Sequence, residues 1–105
     1  MGKSLKLTFY GGTQSVTGAN FMLESSDKKI LIDCGLHQGS KFYEDKNYLK
    51  FAYNPSEVST LLVTHSHADH IGRIPKLVHD GFNGEIYSTI ETKEIAQIML
   101  NDAIK

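Results

Sequence analysis

Six consecutive residues, His65-Ser66-His67-Ala68-Asp69-His70, constrain this chain more than any other part of it. They set three imidazoles and one carboxylate directly after the apolar run Leu61-Leu62-Val63 and the polar Thr64. Imidazole nitrogen and carboxylate oxygen are donors that divalent zinc accepts, in tetrahedral sites with bonds of about 2.0–2.2 Å. If the chain stays extended past the strand, His65 and His67 point to one side and can share an ion. Asp69 and His70 follow where the chain turns, and can reach a second ion beside the first. A solvated loop rich in histidine is the plain alternative. It leaves four ligand-type residues at a strand end without a reason.

The rest of the chain supplies a frame for that segment. Residues 5–10, Leu-Lys-Leu-Thr-Phe-Tyr, alternate with period two and predict a first strand, ended by Gly11-Gly12-Thr13. Residues 20–24 and 29–33 predict two more strands paired across the polar turn Ser25-Ser26-Asp27-Lys28, the second ending on Asp33. Residues 59–63 predict the strand that delivers the histidines, and residues 85–88 a short later one. Ile71, Ile74, Leu77 and Val78 recur at helical spacing and predict a helix over 71–79, with Pro75 in its first turn or at its true start. A final helix starts near Ser88 or Thr89, where Ser88 and Glu91 are spaced as a capping box. Its stripe of Ile95, Ile98, Met99 and Ala103 awaits cover from another element. The helix runs to Lys105 without a glycine cap or turn, as in a chain that continues.

Between Lys41 and Pro55 lies a charged stretch with Phe42, Tyr43, Tyr48, Phe51 and Tyr53, readable as a short helix and then a loop. These aromatics read as tethers to the core rather than as a base-stacking platform, which would carry interleaved basic residues on a sheet face. With 105 residues the chain holds one domain at most. A net charge of −1 gives no electrostatic footprint for nucleic acid, so affinity for a polyanion has to come from a local site. Cys34 is the only cysteine, which excludes an internal disulfide and favours a cytoplasmic location. Met1-Gly2-Lys3-Ser4-Leu5 is too short in apolar residues to be expected to act as a secretory signal, and no apolar run approaches the roughly 20 residues of a membrane helix.

At residues 65–70 the sequence resembles the HxHxDH signature of the metallo-β-lactamase superfamily. The wider segment Val63-Thr64-His65-Ser66-His67-Ala68-Asp69-His70-Ile71-Gly72-Arg73-Ile74-Pro75-Lys76-Leu77 resembles the β-CASP branch, its RNA-processing nucleases. Gly11-Gly12-Thr13-Gln14-Ser15-Val16-Thr17-Gly18, Asp33-Cys34-Gly35-Leu36-His37-Gln38-Gly39 and Tyr53-Asn54-Pro55-Ser56-Glu57-Val58 are similar to that branch as well. The metal signature alone says nothing of substrate; the Val-Thr-Gly and Asp-Cys-Gly-Leu-His-Gln-Gly segments favour the RNA branch over glyoxalase-like or lactam-hydrolysing members. Ala19 stands where the family often has serine, a minor departure.

The resemblance implies an α/β (layered α+β) fold. It is the N-terminal part of an αββα sandwich, with a mostly antiparallel or mixed sheet and flanking helices. It implies a two-zinc RNA phosphodiesterase in which a hydroxide between ions about 3.5–4 Å apart attacks phosphorus in line. His65 and His67 would bind the first zinc and Asp69 and His70 the second, while Asp33 would orient the site from behind the ligands. Asp33 could instead only cap nearby backbone N–H groups. His37 and His79 are not expected to bind metal, and Cys34 is expected to be packed. Gly11, Gly12 and Gly18 would let their loop pass close beneath the metals.

Residues 1–105 are therefore expected to be the N-terminal portion of a larger domain. The family's later histidine and bridging aspartate ligands, its β-CASP insertion and its general-acid histidine lie downstream of this segment. The parent would act on RNA, and the isolated chain would be inactive. Two alternatives stay open: a parent that hydrolyses a small ester or thioester, and a non-catalytic fragment that self-associates, as a homodimer or with the missing portion.

Overall fold

The structure is a computed structural model and describes residues 5–11, 17–38 and 44–103. Its frame is one mixed sheet in which the strands lie in chain order: β1 (Lys6–Gly11), β2 (Asn20–Glu24), β3 (Lys29–Ile32), β4 (Thr60–Leu62) and β5 (Glu85–Tyr87). The first two pairings are antiparallel, and the second is closed by a turn in which Ser25 N–H donates to Lys28 O at 2.9 Å. The next two are parallel, with Leu31 opposite Leu61 and Leu61 opposite Ile86. Parallel neighbours need a crossover rather than a hairpin. Residues 33–59 make the first. The second contains α1 (Ala68–Ile71) and α2 (Ile74–His79), and α3 (Ile90–Ala103) follows β5. The mixed α/β sheet with flanking helices is the architecture expected.

Alternation along the strands sorts the side chains onto two faces. Met22, Leu31 and Leu61 project into a core with Cys34, Val58, Ile71, Leu77 and Phe82, while α3 contributes Ala96. Complete burial of a leucine such as Leu61, none of which is exposed, is worth about 1.5–3 kcal/mol. The register places Leu7, Leu23 and Ile30 in one row on the opposite face, and Phe9, Phe21, Ile32, Leu62 and Tyr87 in another. That face is apolar and open: Leu7 is 51% exposed and Phe9 56%, although Phe9 packs edge-on against Phe21 at 5.6 Å.

The helices depart from the expected ones in three ways. The helix over 71–79 is broken at Gly72 and Arg73, because Arg73 N–H donates to Cys34 O at 2.9 Å and ties the chain to the loop after β3. Pro75 sits in the first turn of α2, as anticipated, but Val78 is exposed. At α3 the cap is Thr89 rather than Ser88: Thr92 N–H donates to Thr89 Oγ1 at 3.2 Å, while Ser88 Oγ donates to Thr89 O. Ile95 and Ile98 are exposed; the side chains of Met99 and Ala103 lie outside the described ones.

Aromatic tethering holds for Phe51 and Tyr53. Their rings stack at 5.3 Å, Tyr53 meets Tyr10 at 4.9 Å, and both pack against the core. Tyr48, 84% exposed, is no tether, and Phe42 and Tyr43 lie outside the described residues. The 41–55 region contains short 3-10 turns at Asp45–Tyr48 and Pro55–Glu57.

Candidate metal centre

The parallel pairing of β3 and β4 brings their carboxyl ends side by side, since Ile32 is in register with Leu62. Asp33 N–H donates to Leu62 O at 2.8 Å, and the two chains then diverge into the loops that carry the site. Asp33 is the only non-glycine residue of positive φ, 61°, among the described residues. For an L-residue that conformation costs about 1–2 kcal/mol, least for Asp and Asn, whose short side chains can bond locally. Here it accompanies a carboxylate, 2% exposed, bonded back across the strand ends. Oδ1 accepts from Thr64 N–H at 2.8 Å, and Oδ2 accepts from Thr64 Oγ1 at 2.6 Å. His70 Nδ1 lies 2.8 Å from the same Oδ2. Asp33 thus caps a backbone N–H and contacts a histidine of the motif.

The histidine segment is laced to the loop after β3 through its backbone. Cys34 N–H donates to His70 O at 2.8 Å, Ala19 N–H to Asp69 O at 3.0 Å and Gly35 N–H to Ala19 O at 2.9 Å. The approach is so close that a Cβ on Gly35 would overlap Asp69 O. His70 N–H and Ile71 N–H both donate to His67 O, which starts α1. Two backbone segments, at Ala19 and at Cys34–Gly35, therefore hold a six-residue motif whose own ladder is short.

The motif side chains gather above this frame. The rings of His65 and His70 lie 4.7 Å apart, and those of His65 and His67 6.3 Å apart and nearly parallel. His70 Nε2 stands 3.8 Å from Asp69 Oδ2. Two donors on one tetrahedral ion with bonds of about 2.0–2.2 Å would stand roughly 3.4 Å apart. The Asp69–His70 pair is near that separation, and His65 and His67, both exposed, are free to turn. Among the described residues no three such side chains already surround one point. Nδ1 of His65 lies 3.1 Å from Thr64 Oγ1, and no hydrogen bond among the described residues takes up Nε2 of His65 or of His70. The donor set, with Nδ1 engaged and Nε2 open on two histidines, suits zinc.

The other reactive side chains fall away from this cluster. Cys34 is fully buried, and burial pushes its thiol up to about 12, so it is a packed residue. His79 is on the surface, its side chain 89% exposed. His37 is buried: its backbone N–H donates to Asn47 Oδ1 at 2.6 Å, and Asn47 Nδ2 donates to His37 O at 2.9 Å. Its ring fills the space left by Gly18, whose φ of 81° and missing Cβ are both required there. Burial, then the Arg73 charge, holds His37 below its ordinary pKa. Gly11 also closes on Gly18 and on the His37 ring, while Gly12 lies outside the described residues.

Several supporting residues were not visible in the sequence. Thr64 is one. Asn20 is another: its Nδ2 donates to Asp33 O at 2.9 Å and its Oδ1 accepts from Tyr53 O–H at 2.9 Å. Burial drives the Tyr53 phenol above its ordinary pKa. Arg73, 7% exposed, donates from Nε to Gly35 O and lies over the Phe51 ring. The one signal for Thr64 and Asn20 was polar residues at strand ends, which needs the strand register to interpret.

Comparison with known proteins agrees with this fold. The metallo-beta-lactamase superfamily pattern matches residues 16–103. Over 101 residues the chain is 38% identical to Ribonuclease TTHA0252 of Thermus thermophilus, covering 96% of this chain and 23% of that protein. It is 35% identical to Cleavage and polyadenylation specificity factor 73 of Drosophila melanogaster, over 96% of this chain and 15% of that one. The chain thus spans less than a quarter of the length of these relatives. In structure it is similar to the short form of human tRNase Z, with a TM-score of 0.56 at 22% identity, covering 94% of this chain and 40% of that one. No helix among the described residues is long and apolar enough to cross a membrane. The chain belongs to the metallo-beta-lactamase superfamily.

Proposed function

We propose that this chain carries the first half of a two-zinc centre in a hydrolase that cleaves RNA. One observation carries the reading. A buried carboxylate, Asp33, meets Thr64 and His70 at the base of a segment whose Asp69 and His70 donors stand 3.8 Å apart. A polar loop with no function has no need to bury a carboxylate behind its histidines, which is costly unless hydrogen bonds compensate. His65 and His67 would hold one ion, and Asp69 and His70 the other. When bound, zinc supplies Lewis acidity, acidifying water and offsetting charge on a phosphate. The residues of this chain hold and orient: Asp33 fixes the ring of His70, the Cys34 and Ala19 amides fix the His70 and Asp69 carbonyls, and Gly35 lets the two loops touch. The ribonuclease name of one relative supports RNA over a small ester or thioester. The lone, buried Cys34 suits a reducing, cytoplasmic setting.

The test uses the longer protein encoded with this segment. It should cleave single-stranded RNA with zinc and lose that activity on Asp69→Ala, while the 105-residue chain alone stays at background. Turnover of a thioester without RNA cleavage would select the small-molecule alternative.

The open face made by Leu7, Phe9, Phe21 and Leu62 favours a second statement: it packs against further apolar surface, from the rest of the parent or from another copy. Self-association of the isolated chain in light scattering, reduced by Phe9→Glu, is the expected result. A compact monomer would contradict it.

A further inference from the structure

Thr64 has one hydroxyl proton and three neighbours that could take or share it. Its Oγ1 lies 2.6 Å from Asp33 Oδ2, 3.1 Å from His65 Nδ1 and 3.4 Å from His70 Nδ1. An ionised carboxylate can only accept, and a short contact between hydroxyl and carboxylate is a charge-assisted hydrogen bond. If the hydroxyl proton pointed at His65 instead, two oxygen acceptors would face each other at 2.6 Å with no proton between them. The proton therefore lies on the line to Asp33. Thr64 Oγ1 then has only lone pairs to offer His65, so His65 must carry its proton on Nδ1. The same carboxylate oxygen, 2.8 Å from His70 Nδ1, requires a proton there too.

We propose that Thr64 is a positioning residue: it relays the acceptor character of Asp33 to His65 and fixes that ring in the Nδ1–H form. One buried carboxylate then sets two imidazoles, His70 directly and His65 through a hydroxyl. In both rings the unprotonated nitrogen is Nε2, the one free to bind a metal. The relay divides the site. Removing the Thr64 hydroxyl frees His65 and leaves His70 in place, whereas removing the Asp33 charge frees both. The significance for zinc rests on the proposed function; the protonation pattern does not.

The experiment exploits that independence. Two-bond nitrogen–proton correlation spectra of the metal-free chain, labelled with nitrogen-15 in histidine and kept alkaline enough for neutral imidazoles, report the tautomer of each ring. Wild type should show Nδ1–H at both His65 and His70. Thr64→Val should shift His65 toward the commoner Nε2–H form and leave His70 unchanged, while Thr64→Ser should restore the wild-type pattern. Asp33→Asn should alter both rings. Zinc affinity by competition with a chromogenic chelator should fall roughly tenfold in Thr64→Val and recover in Thr64→Ser, as for other residues that orient a ligand. Nε2–H at His65 in the wild type overturns the proposal, and needs no variant to fold. So does an unchanged His65 tautomer in a folded Thr64→Val. Tautomers as expected, with zinc affinity untouched by His65→Ala, would keep the relay and refute the metal reading instead.

Discussion

On the helix-covered face of the sheet Leu31 and Leu61 are completely buried, whereas on the other face Leu7, Phe9 and Leu62 stand 51%, 56% and 38% exposed. Both faces are built from the same kinds of residue, and the strand register carries each apolar row across neighbouring strands. The connecting segments make the difference. Those after β3 and β4 contribute to one face, the first with Cys34 and Val58 and the second with Ile71, Leu77 and Phe82. They also tie the histidine-bearing segment to the Asp33–Gly35 loop. The site therefore stands on the part of the molecule that its own chain completes. Its base does not depend on the covering of the open face.

Large and small effects should divide along this contrast. Leu61→Ala should cost about 2–5 kcal/mol in denaturant unfolding, as for other buried leucines. Leu7→Ala, on the open face, should cost under about 1 kcal/mol, since surface substitutions usually stay within ±0.5 kcal/mol. Equal losses would mean that the open face is covered in solution. Gly35→Ala should destabilise by about 1–3 kcal/mol, as overpacking does, because the new methyl group meets Asp69 O. Circular dichroism melts check it, and an unchanged melting temperature would deny the close approach of the two loops.

A smaller effect concerns acid. His37 in the folded chain has its pKa held below the ordinary value, first by burial and then by Arg73, so the folded state binds its proton less readily than the unfolded state. Its contribution to stability is then present above the unfolded pKa, about 6.5, and is lost as pH falls from there through the folded value. The urea midpoint should drop between pH 7.5 and 5.5, and drop less in His37→Gln. Identical slopes for both proteins would remove His37 from the account.

The sequence already contained much of this arrangement. Alternation found the first two strands, and short apolar runs bounded by turn residues found the other three. It could not find the break at Gly72 and Arg73, because Ile71 and Ile74 keep helical spacing across it while the cause is a bond from Arg73 to Cys34. Nor could spacing choose Thr89 over Ser88 as the cap, since both precede the helix and offer a hydroxyl. Four ligand-type residues were legible as a motif, and the resemblance pointed to Asp33. Thr64 was not legible: its role arises from the parallel register that sets Ile32 beside Leu62, a long-range pairing with no local pattern.

We propose that the 65–70 segment binds zinc through the side chains gathered over Asp33. Calorimetric zinc titration of the chain and of its His65→Ala and His67→Ala variants tests it most directly. Weak binding by the chain, further weakened in each variant, is the predicted result, because a metal held by two or three protein donors loses much of its affinity with any one of them. Binding of unchanged strength and stoichiometry in both variants would place the metal elsewhere and contradict the account.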